Sequence, residues 1–398
     1  MRFKYFSVIG LLIGAVSLQA QQSVDDVTFG KGLLNYVAQD SSFSVKFAPR
    51  MQYRYYGDYD MNSDGGIDHT FILRRARFKF GGWALNPKIQ YKMEFGLSNN
   101  DLGGANDYTK NAPRMILDAV IKYKFAPGFE FWAGQTKLPG NVERVVSSAN
   151  LQLVDRSRLN KIFNIDRDLG VHLRHTSKLP WGMVSREKIA ISQGEGRNIT
   201  TGNVGGLQYT ARFELLPFGK FAKKGDYVQA ALVREETPKL MLSYTYNFND
   251  DAVKVRSGMG DYMYLADGSF YTTDITTHFI DAMFKYQGIS FAAEWAKREA
   301  TSPIAMEADD TETGDIVLVG DGYNAQLGYM LDDHYEIVGR YTALTFEELT
   351  GKDAYTQYTL GLNNYLHGHK LKVQTDVSYT VVGDTENLLF RVGFDLHF

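Results

Sequence analysis

Cationic side chains recur at alternate positions along the first third of this chain. Lys46, Arg50 and Arg54 are followed by Arg75, Arg77 and Lys79, then Lys88 and Lys92, then Lys122 and Lys124. Only Glu94 and Asp118 share their parity as acids. Bases gathered on one face make a surface for anions. An arginine guanidinium is a planar fork that meets two phosphate oxygens at once, and a lysine ammonium is a compact charge that releases an anion easily. Catalytic chemistry has no comparable foundation, because the eight histidines are scattered and form no Ser-His or Asp-His constellation. His367 and His369 flank a glycine without a neighbouring carboxylate, which reads as a turn and not as a metal site. His172 shares a face with Arg174 and reads as a bystander. Glycines 202, 205 and 206 precede a strand, not a helix, so no phosphate cradle follows.

The elements that place these bases are strands. Between 43 and 55, Phe43, Val45, Phe47, Met51, Tyr53 and Tyr55 oppose Lys46, Arg50, Gln52 and Arg54. Next, Ala76, Phe78 and Phe80 oppose Arg75, Arg77 and Lys79, and Ile89, Tyr91, Met93 and Phe95 oppose Lys88, Gln90, Lys92 and Glu94. Leu117, Ala119, Ile121, Tyr123 and Phe125 then oppose Asp118, Lys122 and Lys124. Period-2 alternation is the mark of a two-faced strand. Here one face suits hydrocarbon and the other suits water. Arg74 falls on the apolar parity and is expected at a rim or a twist.

Twelve further segments of this kind, the last ending at Phe398, bring the count to sixteen. The connections alternate between long (57–69, 99–114, 138–166, 249–275, 300–320) and short (Asn86-Pro87, 126–128, Gln287-Gly288). The expected fold is all-β: a transmembrane antiparallel β-barrel of about 16 strands, with long extracellular loops and short periplasmic turns. Residues 216–237 break the alternation, being long where a short turn is due. No apolar run after the N-terminus approaches the ~20 residues of a membrane helix. With 25 Tyr, 25 Phe, 38 Gly and no Cys, the composition suits strands and aromatic girdles, and stability without disulfides.

Residues 1–20 carry Arg2 and Lys4, an apolar stretch and a small-residue end at Ala20, the pattern of a secretory signal. Residues 21–42 are expected to be a short periplasmic lead, and 43–398 the barrel. Without Arg2 and Lys4 the chain has 41 bases against 46 acids, a net of −5. Any attraction for anions must therefore come from where the bases sit. By parity the first four strands are strongly basic. The last seven are nearly balanced, with Lys285, Arg298, Arg340, Lys370, Lys372 and Arg391 against Asp281, Glu294, Glu336, Asp376 and Asp395. A transverse field in a narrow channel with low-dielectric walls concentrates counter-ions.

The stretches RRARFKFGGWALNPKIQYKMEFGLSNND (74–101) and GQTKLPGNVERVVSSANLQLVDRSRLNKIFNIDRDLGVHL (134–173) resemble the phosphate-selective porin O and P family. That resemblance implies a sixteen-stranded porin of the bacterial outer membrane, homotrimeric, with its third extracellular loop folded into the lumen. It also implies passage of small anions such as phosphate or polyphosphate. Arg75 and Arg77 are the positions matching the family's arginine ladder, and Lys137, Arg144, Arg156 and Arg158 those matching its loop and constriction. The C-terminal Phe398 resembles the signal read by the outer-membrane assembly machinery. Besides that machinery the expected partners are outer-membrane lipid and small anions, with no cofactor, metal or nucleic acid. A general diffusion channel is the main alternative. A barrel enzyme lacks its constellation, a receptor its plug, and a hydrocarbon channel its apolar lumen.

Overall fold

The structure is a computed structural model that describes residues 29–398 except 64, 105, 201 and 202. The expected signal sequence lies outside the described residues, as does the start of the lead.

Sixteen antiparallel strands close into one barrel. They are β1 (Phe43–Asp60), β2 (Asp68–Ala84), β3 (Asn86–Gly96), β4 (Ile116–Ala126), β5 (Phe129–Lys137), β6 (Arg167–Lys178), β7 (Val184–Ser192) and β8 (Gln208–Leu216). The second half comprises β9 (Lys239–Ala252), β10 (Thr273–Tyr286), β11 (Ile289–Ala300), β12 (Gly320–Met330), β13 (Tyr335–Phe346), β14 (Tyr355–His369), β15 (Leu371–Val382) and β16 (Thr385–His397). Each pairs with its sequence neighbours, and β16 pairs with β1 from Arg50↔His397 to Asp60↔Asn387, so no barrel edge is left open. Phe398 follows this seam, its amide donating to the carbonyl of Pro49 at 3.1 Å. Below the seam a short strand, Leu34–Val37, runs along the free edge of β1.

The burial pattern is the reverse of a soluble protein's. Arg298, Lys285 and Lys372 are among the largest fully buried side chains, while Phe71, Ile121, Leu327 and Phe390 are exposed. An even strand count with apolar side chains outward is the architecture of an outer-membrane barrel. The short turns are built for it. Between β10 and β11, Gln287 and Gly288 both take positive φ (44° and 87°), the two-residue geometry whose twist matches that of the flanking strands.

Two departures from strict alternation alter the inner wall. The β1–β2 register shifts between Gln52 and Tyr53, whose partners are Arg75 and Leu73, leaving Arg74 as the extra residue of a bulge. Likewise Glu94 pairs with Asp118 and Phe95 with Ile116, which skips Leu117. Leu117, assigned by parity to the lipid face, is instead buried and faces the lumen. A bulge inserts a residue and reverses the parity on either side of it.

Candidate functional site

The connection between β5 and β6, residues 138–166, folds into the barrel. It carries two short helices, α1 (Val142–Val145) and α2 (Arg158–Phe163). Ser157 starts α2, its Oγ accepting from the Asn160 amide at 3.1 Å. The loop lies against the charge-balanced wall and is held there through its backbone. Arg298 of β11 donates to the carbonyls of Ile162 (3.0 Å) and Phe163 (2.8 Å), and Lys372 of β15 to that of Leu151 (2.7 Å). Carboxylates take the amides: Asp281 accepts from Val142 at 3.1 Å, Glu294 from Glu143 at 2.5 Å and Asp376 from Val154 at 3.0 Å. Both signs of charge are needed on this wall because a backbone offers both donors and acceptors. Two lumen-facing glycines admit the loop closely. A Cβ on Gly361 would stand 2.6 Å from the Leu153 side chain, and one on Gly328 would meet Gln152.

The anomalous stretch between β8 and β9 is a periplasmic excursion that also turns inward. Its Gln229 amide donates to the Asn150 carbonyl at 3.0 Å, and its Gln229 Oε1 accepts from the Gln152 amide at 2.9 Å. Lys285 fixes it through the carbonyls of Val228 (2.6 Å) and Ala230 (2.7 Å). The tip of the inward loop thus rests on this excursion.

What remains open runs along the basic wall. Toward the extracellular side lies a cavity of about 520 Å³ lined by twelve bases and three acids, the acids being Asp101, Asp155 and Asp166. Toward the periplasm lies a chamber of about 210 Å³ lined by eight bases and two acids, Glu94 and Asp118. Arg77, Lys137, Ser148 and Arg167 line both and so mark the neck between them. The acids are engaged with bases. Arg77 meets Asp101 at 2.5 Å and Glu94 at 3.1 Å, Lys92 meets Asp118 at 2.8 Å, and Arg167 meets Asp118 at 3.1 Å. Lys137 Nζ caps the end of α1, donating to the Arg144 carbonyl at 2.6 Å. In the loop, burial opposes ionisation of Asp155 and Asp166. The guanidiniums of Arg54 and Arg74 around the first, and of Arg144 and Arg167 around the second, nevertheless hold both well below the usual carboxylate range.

Of the residues singled out in the sequence, Arg75, Arg77, Lys137, Arg144, Arg156 and Arg158 line the outer cavity. Lys79, Lys92 and Lys122 line the inner chamber, where Lys122 lies 3.8 Å from the centre of the Trp132 ring. Arg50 and Arg54 are placed differently, as anchors of the loop. Arg50 binds Asp395 at 2.5 Å and Ser148 Oγ at 2.7 Å, and Arg54 binds Asp155 and the Val154 carbonyl. Lys46 and Lys124 lie exposed toward the periplasmic end and line neither space. The outer cavity also gathers Arg74, Lys161, Arg167, Arg197, Arg256 and Arg391. Arg74 escaped strand parity because it is the bulge residue. Arg197 and Arg256 come from loops without periodicity, where only folding brings them to the path.

A wall of fixed cations beside a narrow aqueous route draws anions, and several sites in series let each one pass on. The model of the phosphate-selective porin O and P family matches residues 45–387. Among curated proteins, no sequence matches the chain. Solved structures share the fold at low identity. OmpT, an outer membrane protein of Vibrio cholerae solved in a trimer form, is 12% identical over 90% of this chain and 100% of its own, with TM-score 0.54. The outer membrane channel DcaP of Acinetobacter baumannii is 9% identical over 91% of this chain and 99% of its own, with TM-score 0.53. An anion-selective porin from Comamonas acidovorans is 9% identical over 89% of this chain and 100% of its own, with TM-score 0.53. With a closed sixteen-stranded barrel, an inward loop and a family match across most of its length, the chain belongs to the phosphate-selective porin O and P family, channel proteins of the bacterial outer membrane.

Proposed function

We propose that this porin gives passive, anion-selective passage to small solutes, phosphate among them, along the basic wall between β2 and β7. The observation that carries the reading is the lining of the outer cavity, twelve bases against three acids, in a chain whose overall charge is negative. Composition alone would favour cations; the placement of charge favours the opposite. Arg74, Arg75, Arg156 and Arg158 gather anions, and Arg77, Lys137 and Arg167 form the selective neck. Lys79, Lys92 and Lys122 pass the anion onward to the periplasm. A homotrimer is the working assembly, in keeping with the trimer form of the Vibrio cholerae relative.

The test is the reversal potential of the purified protein in a planar bilayer under a KCl gradient. Reversal toward the chloride potential is expected, and it should shrink when Arg75 and Arg77 are both changed to Ala. A reversal at zero or on the potassium side would overturn the anion reading and leave a general diffusion channel.

A further inference from the structure

The lipid-facing wall has a recess that an even coat of outward side chains would not leave. On β10, β11 and β12 the outward residues Ala282, Ala293 and Ala325 stand in register, Ala282 paired with Ala293 and Ala293 with Ala325. The row above them, toward the extracellular side, is Tyr244, Ile280, Trp295 and Tyr323; the row below is Leu240, Phe284, Phe291 and Leu327. A floor of methyl groups thus lies between two banks of large side chains. Trp295 and Phe291 are four residues apart, about 13 Å along the strand, and three adjacent strands at about 4.8 Å spacing set the length of the floor. The open space lies against the floor and the Trp295 bank, with Leu215 and Leu242 closing one end, and amounts to about 690 Å³ with an almost wholly apolar lining.

We infer that this trench is a binding site for one acyl chain of a lipid in the outward-facing leaflet. The inference rests on the membrane location of the barrel and not on its ion selectivity. Hydrocarbon is the solvent along this band, and a chain lying in the trench touches protein on three sides where an ordinary boundary lipid touches one, gaining dispersion contacts. The leaflet follows from depth. One row above the Trp295 bank the outward residues become Tyr246, His278, Lys297 and Asp321, the polar boundary of the membrane, with Lys297 bonded to Glu299 at 2.6 Å. At that level Tyr244 OH and His278 Nδ1 are 2.8 Å apart. A headgroup at this boundary puts the upper part of its chain in the trench. A second barrel is a poor occupant, since the recess is only three strands long and a convex wall meets its banks before its floor.

Trp295 in the bank supplies the reporter. In a variant carrying Trp83→Phe, Trp132→Phe and Trp181→Phe it is the sole tryptophan. Phosphatidylglycerol with dibrominated acyl chains is titrated into the folded protein in dodecyl maltoside micelles. Quenching is expected to saturate at one lipid per barrel, and Ala293→Phe, which fills the floor, should weaken the apparent affinity at least tenfold. Ala325→Leu should act the same way, so the test survives if one variant folds poorly by heat-modified gel mobility. Quenching that rises with lipid fraction without saturating, alike in all variants, would overturn the site. So would an assembly larger than the parent's that Ala293→Phe dissolves, because a second copy would then be the occupant.

Discussion

Arg74 and Arg75 are neighbours in sequence, and in a regular strand one would face lipid. The bulge between β1 and β2 turns both to the outer cavity, where Arg74 comes within 3.9 Å of Asp155. Arg74→Ala should therefore reduce the proposed anion selectivity about as much as Arg75→Ala. Arg50→Ala should act otherwise, because it leaves Asp395 buried without its cation, a loss of about 3–5 kcal/mol. Reversal potentials and denaturation midpoints measured side by side separate the two roles. Glu195, in the connection after β7, makes a different case. Burial, with Asp168 nearby, pushes its carboxyl up to about 7, and its Oε2 has no partner among the described residues. An acid raised in the folded state favours folding while protonated, and that advantage is lost as pH climbs from the ordinary carboxylate range through 7. Glu195→Gln is accordingly expected to raise the melting temperature at pH 8 and to leave it unchanged at pH 4.

At the scale of elements, the decisive one is the loop 138–166. It is held by scattered bonds to charged side chains of β1 and of the far wall, so removing one should loosen it without unfolding the barrel. Arg298 is fully buried and serves two loop carbonyls at the end of α2. Arg298→Ala strands both acceptors, each at a cost of about 1–3 kcal/mol. Noisier and larger single-channel currents are expected; steps identical to the parent's would show that other bonds suffice. The strands themselves were legible, since sixteen alternating segments were expected and sixteen close the barrel. Their ends were less so. The connections expected over 57–69 and 249–275 shrink to 61–67 and 253–272, because β1 runs on to Asp60 and β9 to Ala252. Local propensity does not decide where a ladder stops; its partner does.

Across the whole molecule, charge is divided by wall. Most bases of β2 to β7 border the open path, whereas those of β10 to β16 are mostly spent on the loop and the periplasmic excursion. This division predicts how the proposed anion selectivity responds to salt. Screening shortens from about 10 Å at 0.1 M to about 3 Å at 1 M. The part of the selectivity due to the wider outer cavity should fade over that range, and the part due to the neck at Arg77, Lys137 and Arg167 should persist. Permeability ratios measured at both salt concentrations would show a decline to a plateau still favouring chloride. A complete loss would place selectivity in the mouth alone.

By itself the sequence determined the strand period, the lipid and water faces, the basic and balanced walls, and the family. These are local or compositional properties, fixed by side-chain chemistry at a period of two. Tertiary structure alone decided which bases remain beside open water. The loop's choice of wall, the bulge at Arg74, the arrival of Arg197 and Arg256, and the inward turn of residues 217–238 all depend on contacts between segments distant in sequence. Arg50 and Arg77 look alike as members of one alternating series. One became an anchor because Ser148 and Asp395 lie beside it, and the other lines the neck. That difference lies in what each side chain meets across the barrel, which no periodicity along the chain records.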